Sequence, residues 1–114
     1  MTQRTFLDDM RAESATRLDA AFAAFHADNP VVYEHLVRLA RQAQARGRKK
    51  AGIRMLWEVM RWELFVGVDV DRGESPFKLN DHLTSRYARL IMEREPDLHA
   101  FFETRSVERA VDVE

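Results

Sequence analysis

The sequence predicts a mostly α-helical protein, folded as a compact bundle of four to five helices. Apolar residues recur at intervals of three and four along most of the 114-residue chain, which is the periodicity of amphipathic helices. Asn, Pro and Gly separate these segments, as expected at helix ends. Seven Phe, two Trp and two Tyr supply the bulk for one hydrophobic core. We therefore expect a single helical domain over residues 1–105 and a charged C-terminal tail over 106–114.

The first two predicted helices have clear end signals. Thr5 and Asp8 are spaced as a capping box at the start of the first helix, which ends near Asn29. Asn29 is also a suitable N-cap for the second helix, Pro30 suits its first position, and Gly47 suits the residue after its C-cap. The apolar stripe predicted for the first helix comprises Leu7, Met10, Leu18, Ala21, Phe22 and Phe25.

A third helix is predicted from a start within 49–52 to about Phe65, and it is apolar on two sides. One side carries Ile53, Leu56, Trp57, Met60 and Leu64, and the other carries Met55, Val59 and Trp62. A helix that is apolar around most of its circumference is expected at the centre of a bundle. The predicted core around it consists of Phe22, Phe25, Leu36, Trp57, Met60, Leu90, Ile91 and Phe101.

Residues 66–79 interrupt the helical periodicity. Valines alternate with small or acidic residues over 66–71, a turn-like segment follows at 72–76, and two apolar residues flank Lys78. This pattern favours a small β-hairpin between the third and fourth helices, which would make the fold winged-helix-like. An irregular loop of the same length is the alternative.

The C-terminal part of the domain is predicted to contain one more long helix and one short element. Asn80 or Asp81 caps the fourth helix, and Pro96 ends it. The short element extends from Asp97 to about Thr104 and carries three bulky apolar residues.

Charge is distributed unevenly along a chain whose formal net charge is only −1. Residues 38–61 contain eight cations and one acid, a net charge of +7, whereas residues 93–114 contain seven acids and three arginines, a net charge of −4. A local positive field of this kind attracts anionic polymers even when the whole protein is nearly neutral. The charge pattern therefore predicts DNA as a partner.

Two groups of residues are the candidate DNA-contacting sites. The first group lies around a turn before a helix N-terminus, which suits phosphate. The second group places a hydroxyl and arginines on the outer face of the fourth predicted helix, which suits base edges. For the first group, a solvated surface turn without a partner is the alternative. For the second group, the segment between the third and fourth helices is longer than the turn of a simple helix-turn-helix, which weakens the comparison with a recognition helix. The first group is Arg46, Arg48, Lys49, Lys50 and Arg54, and the second is Ser85, Arg86 and Arg89.

Several short segments of the sequence resemble a family of small uncharacterised proteins from phages, prophages and bacterial genomes. These segments are GRKK at 47–50, GIRMLWEVMRW at 52–62, FKLN at 77–80, SRYARLIM at 85–92, EPDL at 95–98 and FFETR at 101–105. The resemblance covers about residues 25–105 and implies a compact helical domain in a mobile-element setting. It implies no particular activity and no catalytic residue.

Other classes of function find little support in the sequence. The segment from Asp69 to Gly73 lacks the glycine and acid that a calcium loop needs at its sixth and twelfth positions. The four histidines lack metal-ligand spacing, and the chain has no cysteine. We therefore expect no metal, no cofactor, no small-molecule substrate and no enzymatic activity. No segment is apolar enough to span a bilayer, and a cytoplasmic protein is expected.

The sequence thus predicts a non-enzymatic DNA-binding protein, a small regulator of the phage type. The alternative is a protein–protein interaction module: an inhibitor or adaptor of a host protein, or a homodimer joined through the Ala- and Phe-rich part of the first helix. In that case the acidic C-terminal part would match a basic partner or mimic the charge of DNA.

Overall fold

Four α-helices and one 3₁₀ turn make up the described part of the fold. The computed structural model describes residues 5–67 and 77–103. The helices are α1 (Phe6–Asp28), α2 (Pro30–Ala45), α3 (Ile53–Gly67) and α4 (Asp81–Arg94), and the 3₁₀ turn is Pro96–Leu98. The predicted mostly helical fold is confirmed, although the short C-terminal element is a 3₁₀ turn rather than a further helix.

Most of the predicted helix ends are confirmed by their hydrogen bonds. The Thr5 hydroxyl accepts from the Asp8 amide at 3.0 Å, and the Thr5 amide donates to the Asp8 carboxylate at 3.4 Å, which completes the capping box. The Asn80 side chain accepts from the first turn of α4. Asn29 is the N-cap residue of α2 as predicted, but its side chain makes no capping hydrogen bond. The side-chain amide instead donates to the Phe25 carbonyl at 3.0 Å, and the Asn29 backbone amide donates to the same carbonyl at 2.9 Å.

The core lies where α2, α3 and α4 meet. Each of these helices packs on the other two, and α1 covers the groove between α2 and α4. Of the eight predicted core residues, Leu36, Trp57, Met60, Ile91 and Phe101 are buried, Phe22 and Phe25 pack on the core while partly exposed, and Leu90 is only partly buried.

Trp57 is fully buried at the centre of this core. Its indole N–H donates to the Phe77 carbonyl at 2.9 Å, which satisfies the one polar atom of the side chain. Phe77 adopts a φ of 57°, which is strained for a bulky residue. The bond from Trp57 and the edge-to-face contact with Phe25 at 5.8 Å hold this conformation.

The prediction that α3 is covered on most of its circumference is wrong. Its inner side is buried as expected, but Met55, Val59, Trp62 and Val66 are 58%, 37%, 63% and 57% exposed. We call these four residues the outer row. The neighbours of α3, which are α2 and α4, pack on its inner side, and no described residue covers the outer row.

The winged-helix prediction finds no support in the described residues. Val66 and Gly67 belong to α3, and residues 77–80 lead into α4 without forming a strand. The one β-type contact within 5–67 and 77–103 is an isolated parallel bridge between Ala51 and Phe102. The rest of the predicted hairpin, residues 68–76, lies outside the described residues, as does the predicted tail.

The N-terminal half of α1 departs from its predicted packing. Leu7 and Met10 were predicted to face the core but are 59% and 46% exposed, and Phe6 is 76% exposed. Only the C-terminal half reaches the bundle, where Phe22 makes an edge-to-face contact with Tyr87 at 4.8 Å. A 23-residue helix is longer than the bundle it packs on, because the other helices have only 14–16 residues.

Candidate nucleic-acid interface

The turn between α2 and α3, residues 46–50, has a fixed backbone and exposed side chains. Gly47 has a φ of 97°, which glycine adopts without strain. The Gly47 amide donates to the Gln44 carbonyl and the Arg48 amide to the Ala43 carbonyl, both at 3.0 Å, which is a Schellman motif. At the other end of the turn, the Ala51 amide donates to the Phe101 carbonyl at 3.1 Å. We call residues 46–50 the cationic turn.

Ion pairs neutralise part of the basic stretch at 38–61, and most of them join different elements of the fold. Arg38 bonds Glu63 at 2.8 Å, Arg61 bonds Glu58 at 2.8 Å, and Arg41 bonds Glu95 at 2.6 Å. Arg41 also bonds Asp97 at 3.1 Å. The cations in these four contacts were included in the predicted positive field, and pairing reduces their contribution to it. The two acids that pair with Arg41 belong to the acidic stretch at 93–114.

Arg41 and its acids form a charged cluster between α2 and the 3₁₀ turn. Hydrogen bonding from Arg41 holds the pKa of Asp97 below its ordinary value. The Tyr33 hydroxyl donates to Glu95 at 2.8 Å. Burial, together with this hydrogen bond and the negative charge of Glu95, raises the pKa of Tyr33 to about 12. The cluster joins α2 to the 3₁₀ turn through these paired groups.

The four cations of the cationic turn remain unpaired. All four side chains are exposed, and none forms an ion pair with an acid in the part of the chain that the structure describes. Within the basic stretch 38–61, the cations without an ion-pair partner among the described residues are therefore concentrated in five consecutive positions. These cations are Arg46, Arg48, Lys49 and Lys50.

A cleft of about 870 Å³ lies beside the cationic turn, between the start of α3 and the outer face of α4. Gly52 precedes α3 and has no side chain that could cap it, and the start of α3 lines this cleft through Ile53 and Arg54. The predicted residues Lys50, Arg54, Ser85 and Arg89 all line the cleft, together with the acids Asp81 and Glu103 and the buried Phe102.

The cleft brings together residues from both predicted groups. Arg54 is 63% exposed and its guanidinium lies 3.5 Å from the Asp81 carboxylate, which is 73% exposed. Such an open pair is weak, so a phosphate can compete for Arg54. Arg89 is exposed and has no ion-pair partner among the described residues. Arg46, Arg48 and Lys49 lie on the turn outside the cleft.

Arg86 and Ser85 both make hydrogen bonds within the chain. The Arg86 side chain is 16% exposed and bonds Asp19 of α1 at 2.8 Å and the His82 carbonyl at 3.3 Å. The Ser85 hydroxyl donates to the same His82 carbonyl at 3.3 Å. Of the three residues predicted to approach base edges, only Arg89 projects into solvent without a partner in residues 5–67 and 77–103.

A second groove of about 550 Å³ separates α4 from the N-terminal half of α1. Leu7, Met10 and Leu18 form its apolar wall, and Arg11, His82 and Arg89 supply polar groups. The sequence analysis missed this groove and the acids Asp81 and Glu103 of the cleft. Asp81 was visible as a residue on the first turn of α4, but no local signal placed it beside Arg54, 27 positions earlier.

Comparisons with known proteins add no function to this geometry. No family model, no curated protein and no solved structure matches the chain. In residues 5–67 and 77–103, no three acidic or histidine side chains converge as a metal site would require. No helix described in those ranges has the length and apolarity needed to cross a membrane.

Proposed function

We propose that the protein is a non-enzymatic DNA-binding protein that holds the phosphate backbone with its cationic turn. The observation that carries this proposal is a hydrogen-bonded turn, directly before the start of α3, whose four exposed cations have no ion-pair partner among the described residues. Positive side chains beside a helix N-terminus suit a row of phosphates. Arg54 and Arg89, across the cleft, extend the positive surface toward α4.

The binding mode is contact with phosphates rather than reading of bases by α4. Because Arg86 is bonded to Asp19 and Ser85 to the His82 carbonyl, Arg89 alone is left to approach a base edge. A sequence preference would then come mainly from the shape and deformability of the DNA. The resemblance to phage and prophage proteins fits a small regulator that works in this way.

The alternative proposal, a protein–protein interaction module, is favoured by the exposed outer row on α3. The version in which the acidic C-terminal part mimics DNA is less favoured. Glu95 and Asp97, two acids of that part, bond Arg41 of the same chain, so less negative charge is presented to a partner.

Fluorescence anisotropy of the protein with a labelled random duplex, at low and at moderate salt, tests the DNA proposal. We expect binding that weakens steeply with salt, because each phosphate contact releases condensed counterions. Lys49→Glu should weaken binding about tenfold or more at low salt. Arg17→Glu is the matched control, since it makes the same change of charge at an exposed residue of α1 and should have little effect.

Two outcomes would contradict the proposal. Absence of binding at low salt would remove DNA as a partner. Equal weakening by Lys49→Glu and Arg17→Glu would mean that binding follows net charge, and the cationic turn would then have no special role.

A further inference from the structure

The outer row of α3 is an apolar surface that no other described part of the chain covers. Its members Met55, Val59, Trp62 and Val66 are spaced by four, three and four residues and point away from the buried residues Ile53, Trp57 and Met60. The row is continuous, since each member follows the last by about one helical turn. Beside it Phe65 is 42% exposed, with its ring 6.2 Å from that of Trp62.

The size of this surface is that of a protein interface. The exposed parts of the outer row and Phe65 together present apolar surface on the order of 500 Å². This is at the upper end of the largest patches that monomeric proteins expose. A standard interface buries about 800 Å² on each partner, and the polar side chains beside the row supply the remainder as a rim.

The charges beside the row do not select a partner of one sign. Glu58 and Arg61 lie toward one flank and bond each other at 2.8 Å. On the other flank Glu63 bonds Arg38 at 2.8 Å. Both flanks are therefore nearly neutral, and a strongly acidic or basic partner gains little from them.

The spacing of the row favours a second copy of the same helix. The intervals four, three and four read the same in both directions along α3. When an identical helix is turned end to end by a two-fold axis, Met55 comes opposite Val66 and Val59 comes opposite Trp62, so small side chains meet large ones. An isologous contact requires this self-complementarity, and the antiparallel arrangement also opposes the two helix dipoles favourably.

We propose that the outer row of α3 is a homodimer interface, formed with the outer row of a second copy in antiparallel orientation. The sequence offered a homodimer through the Ala- and Phe-rich part of α1 as one alternative, but the rings of that part contact other rings of the same chain. Phe22 contacts Tyr87 at 4.8 Å and Phe25 contacts Trp57 at 6.4 Å between ring centroids. The interface on α3 is separate from the cationic turn, so the proposal does not depend on DNA binding.

Sedimentation velocity over a range of protein concentrations tests this proposal. The wild type should move from the 13.3 kDa mass of one chain toward twice that mass as concentration rises. Trp62→Glu should raise the dimer dissociation constant at least about 30-fold, because a central aromatic residue carries much of the energy of an interface. Val31→Glu is the matched control: it places the same charge at a residue that is 43% exposed outside the row and should leave the dimer intact.

Tryptophan fluorescence provides a second readout on the unmodified protein. The chain has two tryptophans, and Trp57 is 0% exposed whereas Trp62 is 63% exposed. Acrylamide quenching therefore reports mainly on Trp62, and it should decrease as the wild type dimerises. Circular dichroism of Trp62→Glu should match the wild type, since the substituted side chain is on the surface.

Three results would overturn the proposal. A wild type that keeps the mass of one chain at all concentrations would exclude a second copy and leave the row to a different protein. A dimer that persists in Trp62→Glu would place the contact elsewhere, for example on the exposed end of α1. A dimer lost equally in Val31→Glu would also remove the row as its specific cause.

Discussion

Arg86 and Arg89 lie three residues apart on α4, and substitution by alanine should affect two different properties. The Arg86 guanidinium bonds Asp19 of α1 at 2.8 Å and its side chain is 16% exposed. The Arg89 side chain is exposed and lines both the cleft and the groove beside α1. Arg86→Ala should therefore weaken the attachment of α1, and Arg89→Ala should weaken binding to DNA.

The expected magnitudes follow from these contacts. A hydrogen bond to a charged group contributes about 1.5–3 kcal/mol, and the 70% exposure of Asp19 reduces that value through solvent screening. We expect Arg86→Ala to lower the free energy of unfolding by about 1–1.5 kcal/mol. Arg89→Ala should change it by less than about 0.5 kcal/mol, as is usual at an exposed site. For DNA, Arg89→Ala should flatten the salt dependence by about one phosphate contact.

Urea unfolding and DNA anisotropy, measured on both variants, make the comparison. The urea midpoint of Arg86→Ala should fall by about 0.5–1 M, while its DNA affinity at low urea stays near that of the wild type. Arg89→Ala should show the reverse. If Arg86→Ala instead lost as much DNA affinity as Arg89→Ala with an unchanged urea midpoint, Arg86 would be a DNA contact and our interpretation of its bond to Asp19 would be refuted.

Three further predictions concern the core and the charged cluster. Burial raises the pKa of both tyrosines in the chain, Tyr33 and Tyr87, to about 12. The native protein should therefore show little tyrosinate absorbance at pH 10, where an unfolded tyrosine is about half ionised, and half-ionisation there would contradict their burial. Arg41 lowers the pKa of Asp97, so the stability from this carboxylate is complete above its unfolded pKa of about 4 and is lost as pH falls through the lower folded value. Arg41→Gln should make the free energy of unfolding less dependent on pH in that acidic window, and an unchanged slope would count against the pair. Trp57→Ala should lower the free energy of unfolding by about 3–5 kcal/mol in urea titrations, and a loss below about 1 kcal/mol would be inconsistent with its central position.

Local chemistry made much of the fold predictable. The capping box at Thr5, the positive φ at Gly47 and the Asn80 cap each depend on a few neighbouring residues. The amino-acid sequence is therefore sufficient to predict these helix ends. The identity of the inner side of α3 followed from helical periodicity in the same way. The burial of the outer row was wrongly predicted, because periodicity shows that a face is apolar and does not show whether another element covers it.

The candidate site was predictable in its residues and not in their roles. The cations at 46–50 and the arginines of α4 stood out from composition and helical spacing. Their partners did not, since the bond from Arg86 to Asp19 spans 67 positions and depends on how α1 crosses α4. The cleft lies where α3 packs on α4 and where the Ala51–Phe101 hydrogen bond ties the start of α3 to the C-terminal segment, and these contacts join residues far apart in the chain.

The sequence by itself determined the helices, their ends and the concentration of positive charge, because each depends on interactions between residues close together in the chain. Only the tertiary structure decided which charges remain available. Folding joined the basic and acidic stretches through Arg41, Glu95 and Asp97 and left the cationic turn unpaired among the described residues. It also left the outer row of α3 exposed. Both outcomes depend on which distant segments come into contact, and helical periodicity carries no information about that.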